Sequence, residues 1–113
     1  MADWFASIAD ICREVDAFLQ EREKVTSPLI KIQWFERAQE WIERIQVWQK
    51  NLASQRGELD ARLEKLDQAW LQAPQSQEEK TASLARLEEL YRFYGYFNRW
   101  QNQLSERVAR LSF

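Results

Sequence analysis

The sequence predicts an all-α protein: three long antiparallel helices packed as a coiled-coil-like bundle and hairpin. Three observations carry that prediction. The 113 residues include only two glycines and two prolines, too few for the turns that a sheet or many short elements consume. Ala, Leu, Glu, Gln and Arg, all strong helix formers, fill most small and polar positions. Apolar residues recur at intervals of three and four over long stretches, the period of an amphipathic helix.

The first helix is expected from about Asp3 to Lys24, with Asp3 as N-cap. Its stripe is Trp4, Ile8, Ile11, Val15 and Phe18, widened by Phe5, Cys12 and Leu19. A stripe that wide needs a docking surface. Thr26-Ser27-Pro28 breaks the pattern. Ser27 can cap the next helix, and Pro28 suits a first helical position, where no N–H is required.

The second helix is expected from Pro28 to about Ala73. Its seam reads Phe35, Ala38, Ile42, Ile45, Gln49, Leu52, Arg56, Leu59, Leu63, Leu66, Trp70 and Ala73. The alternation of three and four is sustained, as in a coiled coil. Unbroken, such a helix is roughly 70 Å long, at ~1.5 Å per residue. Gly57, after the polar Ser54-Gln55-Arg56, offers a bend or break. The seam keeps phase across it, and an interior glycine costs only about 1 kcal/mol, so a continuous helix is preferred.

Ala73-Pro74-Gln75-Ser76 is the second break, and Ser76 with Glu79 forms a capping box. The third helix is expected from Gln77 to Leu111 on Leu84, Leu87, Leu90, Tyr94, Phe97, Leu104, Val108 and Leu111. Tyr91, Phe93 and Trp100 widen this face, and Gly95 inside it suggests a close helix approach or a small kink. Short connections place sequential helices side by side. The expected architecture is a single domain over 1–113, a three-helix bundle at one end and a two-helix hairpin at the other. Residues 1–27 carry six acidic and three basic side chains, while residues 91–113 carry Arg92, Arg99, Arg107 and Arg110 against Glu106. That asymmetry favours packing the first helix beside the end of the third, although each exposed pair contributes only ~0–1 kcal/mol.

Chemistry is scarce. There is no histidine and one cysteine, which removes the usual general base, the Ser-His and Cys-His pairs and a zinc site. The two glycines are isolated, so no phosphate-binding loop is present. Glu36, Glu40 and Glu43 alternate with Arg37 and Arg44, the pattern of a solvated, ion-paired helix face. No enzyme activity, metal, cofactor or small-molecule substrate is expected. Cys12 lies among Ile8, Ile11 and Val15 and reads as a small buried hydrophobe. The net charge of −2 argues against nucleic acid and anionic membranes. No apolar run reaches the ~18 residues of a membrane span. The start, Met-Ala-Asp-Trp, has neither a basic nor an apolar leader segment, so the expectation is a soluble, cytoplasmic chain.

What remains is binding through aromatics. Trp34, Trp41 and Trp48 are spaced by seven and form a ladder on one helix line. Either the first helix covers them or they dock a partner. Tyr91, Phe93, Tyr94, Tyr96, Phe97 and Trp100 span more than half a helix circumference. They are core among three helices, a protein interface with Arg92 and Arg99, or a platform for stacking single-stranded nucleic acid. Gln49 and Arg56, polar at seam positions, either fix register or reach to the rim. The candidate partner-binding residues are therefore Trp34, Trp41, Trp48, Tyr91, Arg92, Phe93, Tyr96, Arg99 and Trp100. The expected function is a non-catalytic protein-interaction module: an adaptor, assembly factor or small structural subunit. Its partner is another protein or a second copy of the chain. The alternative is a small nucleic-acid-associated subunit using Arg92, Arg99, Arg107 and Arg110 with the neighbouring aromatics.

Overall fold

The computed structural model describes residues 2–72 and 76–112. Three helices account for nearly all of them: α1 (Ala2–Glu23), α2 (Pro28–Gln72) and α3 (Gln77–Leu111), with no strand among the described residues. Of the expected second break, Ala73, Pro74 and Gln75 lie outside the described residues, as does the last expected seam position, Ala73.

The helix ends follow from local chemistry. Asp3 does not cap α1. The helix already includes Ala2, so Asp3 sits in the first turn, where a carboxylate still meets the positive end of the helix dipole. At the other end the Lys24 N–H donates to the Glu21 carbonyl at 3.1 Å and the Val25 N–H to Arg22 at 3.2 Å. These tighter turns use carbonyls that a helix C-terminus leaves open. The Ser27 carbonyl accepts the Lys31 N–H at 2.9 Å, and Pro28 takes the first position of α2. At the start of α3 the Ser76 hydroxyl accepts the Glu79 N–H at 3.2 Å, and the Ser76 carbonyl accepts Lys80 at 3.0 Å. This is the hydroxyl half of a capping box. α2 runs through Gly57 without interruption. One of the two readings of Gly95 fails: it is exposed, and a Cβ built there would meet nothing within 4 Å. It marks no close helix approach.

The chain packs as two compact units. One comprises residues up to Lys50 together with those from Trp100 onward; the other comprises Asn51–Arg99. The first unit has a three-helix core. Ile8, Ile11, Cys12, Val15 and Leu19 of α1 are buried there with Ala38, Ile42 and Ile45 of α2 and Trp100, Leu104 and Leu111 of α3. Burial pushes the Cys12 thiol above its ordinary range. Contacts between α1 and α2 run in opposite numerical order: Phe18 meets Trp34 at 4.9 Å between ring centroids, Glu14 meets Arg44 at 3.8 Å, and Trp4 meets Trp48 at 5.4 Å. Contacts between α1 and α3 rise together, from Phe5–Trp100 at 4.8 Å to Arg22, which donates to the Arg110 carbonyl at 2.8 Å. That last contact places a cation on the negative end of α3.

Between these contacts the Arg107 guanidinium donates to both carboxylate oxygens of Asp16, at 3.0 and 2.9 Å. The acidic first helix and the basic end of the third do meet, and this pair is the part-buried one, with side chains 17% and 39% exposed. Bidentate charge-assisted bonds are the strong kind, reduced here by the half-exposed carboxylate. Arg107→Ala should cost about 1–2 kcal/mol. A double-mutant cycle with Asp16→Ala in urea should give a coupling near 1 kcal/mol, and coupling indistinguishable from zero would show that the pair contributes only geometry.

The second unit is thinner. Leu52 and Leu59 of α2 are buried with Leu90 and Phe97 of α3. Arg56 donates to the Asn98 side chain at 2.7 Å, and the Tyr94 hydroxyl donates to Asp60. α2 numbers rise as α3 numbers fall. Leu63 and Leu66 are only half-buried, Trp70 is 45% exposed and Leu84 53%. Within this unit the seam is a two-helix layer, open to solvent on both flanks.

Candidate partner-binding surfaces

The expected binding residues fall into several environments. The tryptophan ladder is half-buried along its length. Phe18 packs on Trp34 and Trp41, and Trp4 meets Trp48 edge-on. Arg37 lies over Trp34 at 5.5 Å and Arg44 over Trp41 at 4.4 Å. These cation–π contacts one turn along the helix cover part of the face that α1 leaves open. Trp100 is buried, 6% exposed, and belongs to the core of the first unit.

In the second unit the aromatics diverge. Tyr91 is exposed, whereas Phe93 and Tyr96 are half-buried. Tyr91 and Phe93 are two residues apart, hence ~200° apart around α3, so they occupy different flanks. Arg99 lies over Tyr96 at 5.7 Å, and Arg92 is exposed. The four arginines proposed for nucleic acid do not act as a free set, because Arg107 is committed to Asp16. Both polar seam residues reach across to α3. Gln49 donates to Ser105 at 3.4 Å and accepts from Gln101 through its carbonyl at 3.4 Å. Arg56 binds Asn98 and stands over Tyr94 at 5.7 Å.

Partial burial and the bond to Asp60 push the Tyr94 phenol up from 10.0 to about 12. A raised phenol pKa stabilises the fold fully below the ordinary value. That contribution is lost as pH climbs through the raised one. Tyr94→Phe should therefore remove the ionisation at about 12 from an ultraviolet absorbance titration. Loss of a phenol that ionises near the ordinary 10.0 instead would show that Tyr94 is not held by Asp60.

Two surfaces escape a reading of the sequence. The first is the start of α2, where Leu29 is 76% exposed, Ile30 44%, Ile32 60% and Phe35 58%. Phe35 holds its seam phase, yet it is 58% exposed, and register explains why. Gln49 stands opposite Ser105. Continuing that register six residues brings Leu111, the end of α3, opposite Glu43. Phe35 lies eight residues further back, ~12 Å along the axis, beyond the reach of α3. The signal was present in Leu29-Ile30-Lys31-Ile32-Gln33-Trp34-Phe35, a run too dense in apolar residues for one helix face to bury. The second surface is a groove of about 350 Å³ within the Asn51–Arg99 unit. Arg62, Lys65, Leu66 and Ala69 line it from α2, and Arg86, Glu89, Leu90 and Phe93 from α3.

Among the described residues no three His, Cys, Asp or Glu side chains converge to hold a metal ion, and no helix is long and apolar enough to cross a membrane. No family model, curated protein or solved structure matches this chain.

Proposed function

We propose that the chain is a non-catalytic protein-interaction module of the cytoplasm, an adaptor, assembly factor or small structural subunit that acts through exposed apolar helix surface. The observation that supports this most directly is the start of α2. Leu29, Ile32 and Phe35 are spaced by three, so they form one stripe on the helix, and each is more than half exposed. Contiguous apolar surface of this kind marks interaction sites. A partner segment laid beside Phe35 would continue the layer that α3 supplies further along α2.

A photo-crosslinking side chain placed at Ile32 or Phe35 in the expressed protein should yield discrete heavier adducts that the same group at exposed Lys50 does not. Ile32→Asp with Phe35→Asp should abolish adducts from a crosslinker at Leu29 while leaving the helical circular dichroism intact. Identical adduct patterns at all these positions would overturn the reading. Light scattering on the same protein separates a second copy from a different partner: a mass that doubles with concentration assigns the stripe to self-association.

A further inference from the structure

The groove in the Asn51–Arg99 unit has a construction that specifies its occupant. Its α2 lining, Arg62, Lys65, Leu66 and Ala69, is spaced i, i+3, i+4, i+7. Its α3 lining, Arg86, Glu89, Leu90 and Phe93, has the same spacing. Each set is a single helical stripe, so the groove is bounded by two parallel rows about two turns, ~10 Å, long. The floor is apolar: Leu90 is buried, and Leu66 and Phe93 are half-buried. The rim is basic. Arg62, Lys65 and Arg86 are exposed, and none of the three makes an ion pair among the described residues. Glu89 is the one acid in the lining. In a chain whose net charge is −2, three cations gathered around an apolar slot with one acid are a local reversal of sign.

We infer that this groove docks an acidic amphipathic helix of a partner protein, apolar on the face that enters the slot and carrying Asp or Glu along its edges. The width between two packed helices suits a third helix, whose anchors recur at i, i+3, i+4 and i+7. Arg62 and Lys65 from one wall and Arg86 from the other would meet carboxylates on both edges of that helix. Glu89 favours a single basic residue opposite it and disfavours a polyphosphate backbone, which would bring negative charge along the whole slot. Charge complementarity of this kind selects partner and orientation and raises the association rate. The inference rests on the reading of the chain as a protein-interaction module and gives it a second surface with its own partner chemistry.

The test uses the full chain and a fluorescent designed helix with Leu at its i, i+3, i+4 and i+7 positions and Glu on both edges. A second probe carries Lys in place of every Glu. The acidic probe should bind, its affinity should fall as salt screens the rim, and the Lys probe should bind at least roughly tenfold more weakly. Charge reversal by Arg62→Glu, Lys65→Glu and Arg86→Glu, all at exposed positions, should invert the preference between the two probes. Phe93→Asp should weaken both. Equal binding of the two probes, or a preference that survives charge reversal, would overturn the groove assignment. So would a concentration-dependent dimer that charge reversal dissolves, because the occupant would then be a second copy. Acidic-probe binding lost on Ile32→Asp with Phe35→Asp and kept in the charge-reversed chain would overturn the groove yet leave the interaction module standing. The module itself falls if the crosslinking contrast at Ile32 and Phe35 is missing, whatever the groove binds.

Discussion

Phe97→Ala should lower stability by about 3–5 kcal/mol, the largest loss expected from any single truncation in the Asn51–Arg99 unit. Phe97 is 1% exposed, and the core it anchors is small, with Leu52, Leu59 and Leu90 as its other buried members. Two helices cannot collapse onto a missing ring without shifting α3 along α2, so most of the lost transfer energy and the cavity term should both appear. Against a total of about 5–15 kcal/mol for a typical domain, the change should be plain in urea unfolding followed by circular dichroism. Tyr91→Ala is the matched control. It removes an aromatic from the same helix, but one that is 66% exposed, and should stay within about 0.5 kcal/mol. Equal losses from the two variants would mean that Phe97 is not the centre of this unit.

That contrast marks where sequence and structure part company. Phe97 and Tyr91 belong to one aromatic run, and periodicity assigns both to a broad apolar face. The number of helices around each residue decides its burial, and periodicity does not report that number. Helix ends were more legible, because Pro28, Ser27 and Ser76 act through local backbone chemistry that needs no knowledge of the fold. α1, α2 and α3 accordingly lie within a residue or so of expectation, with Asp3 displaced from cap to first turn. Phe35 was only partly readable, for a different reason. Its phase is correct, but its exposure depends on where α3 ends relative to α2, a long-range register set by contacts such as Gln49–Ser105. The basic groove is the extreme case. Arg62, Lys65 and Arg86 are ordinary helix-surface residues until the two helices are aligned, and only then do they share one slot.

Gly57 allows a test of that alignment in which the sign of the effect matters more than its size. With α2 continuous from Pro28 to Gln72, proline at 57 would delete the N–H that bonds the carbonyl of residue 53 and drive its ring into that carbonyl. Gly57→Pro should therefore cost about 3 kcal/mol or more. Gly57→Ala should act in the opposite direction. The glycine is helical, has no positive φ, and an added methyl would meet nothing within 4 Å. Removing its excess unfolded-state entropy should stabilise the chain by about 0.5–1 kcal/mol. Gly95→Ala should do the same, because that site is equally open, and the two gains should add. A loop at residues 54–58 would produce another pattern, with proline near neutral and alanine without benefit. Thermal or urea unfolding of the three variants beside the parent chain distinguishes the two. Opposite signs for Pro and Ala at position 57 require a helix there, and a helix there keeps Leu52 and Leu59 in one phase, the condition that also puts Arg62, Lys65 and Leu66 on the wall of the groove.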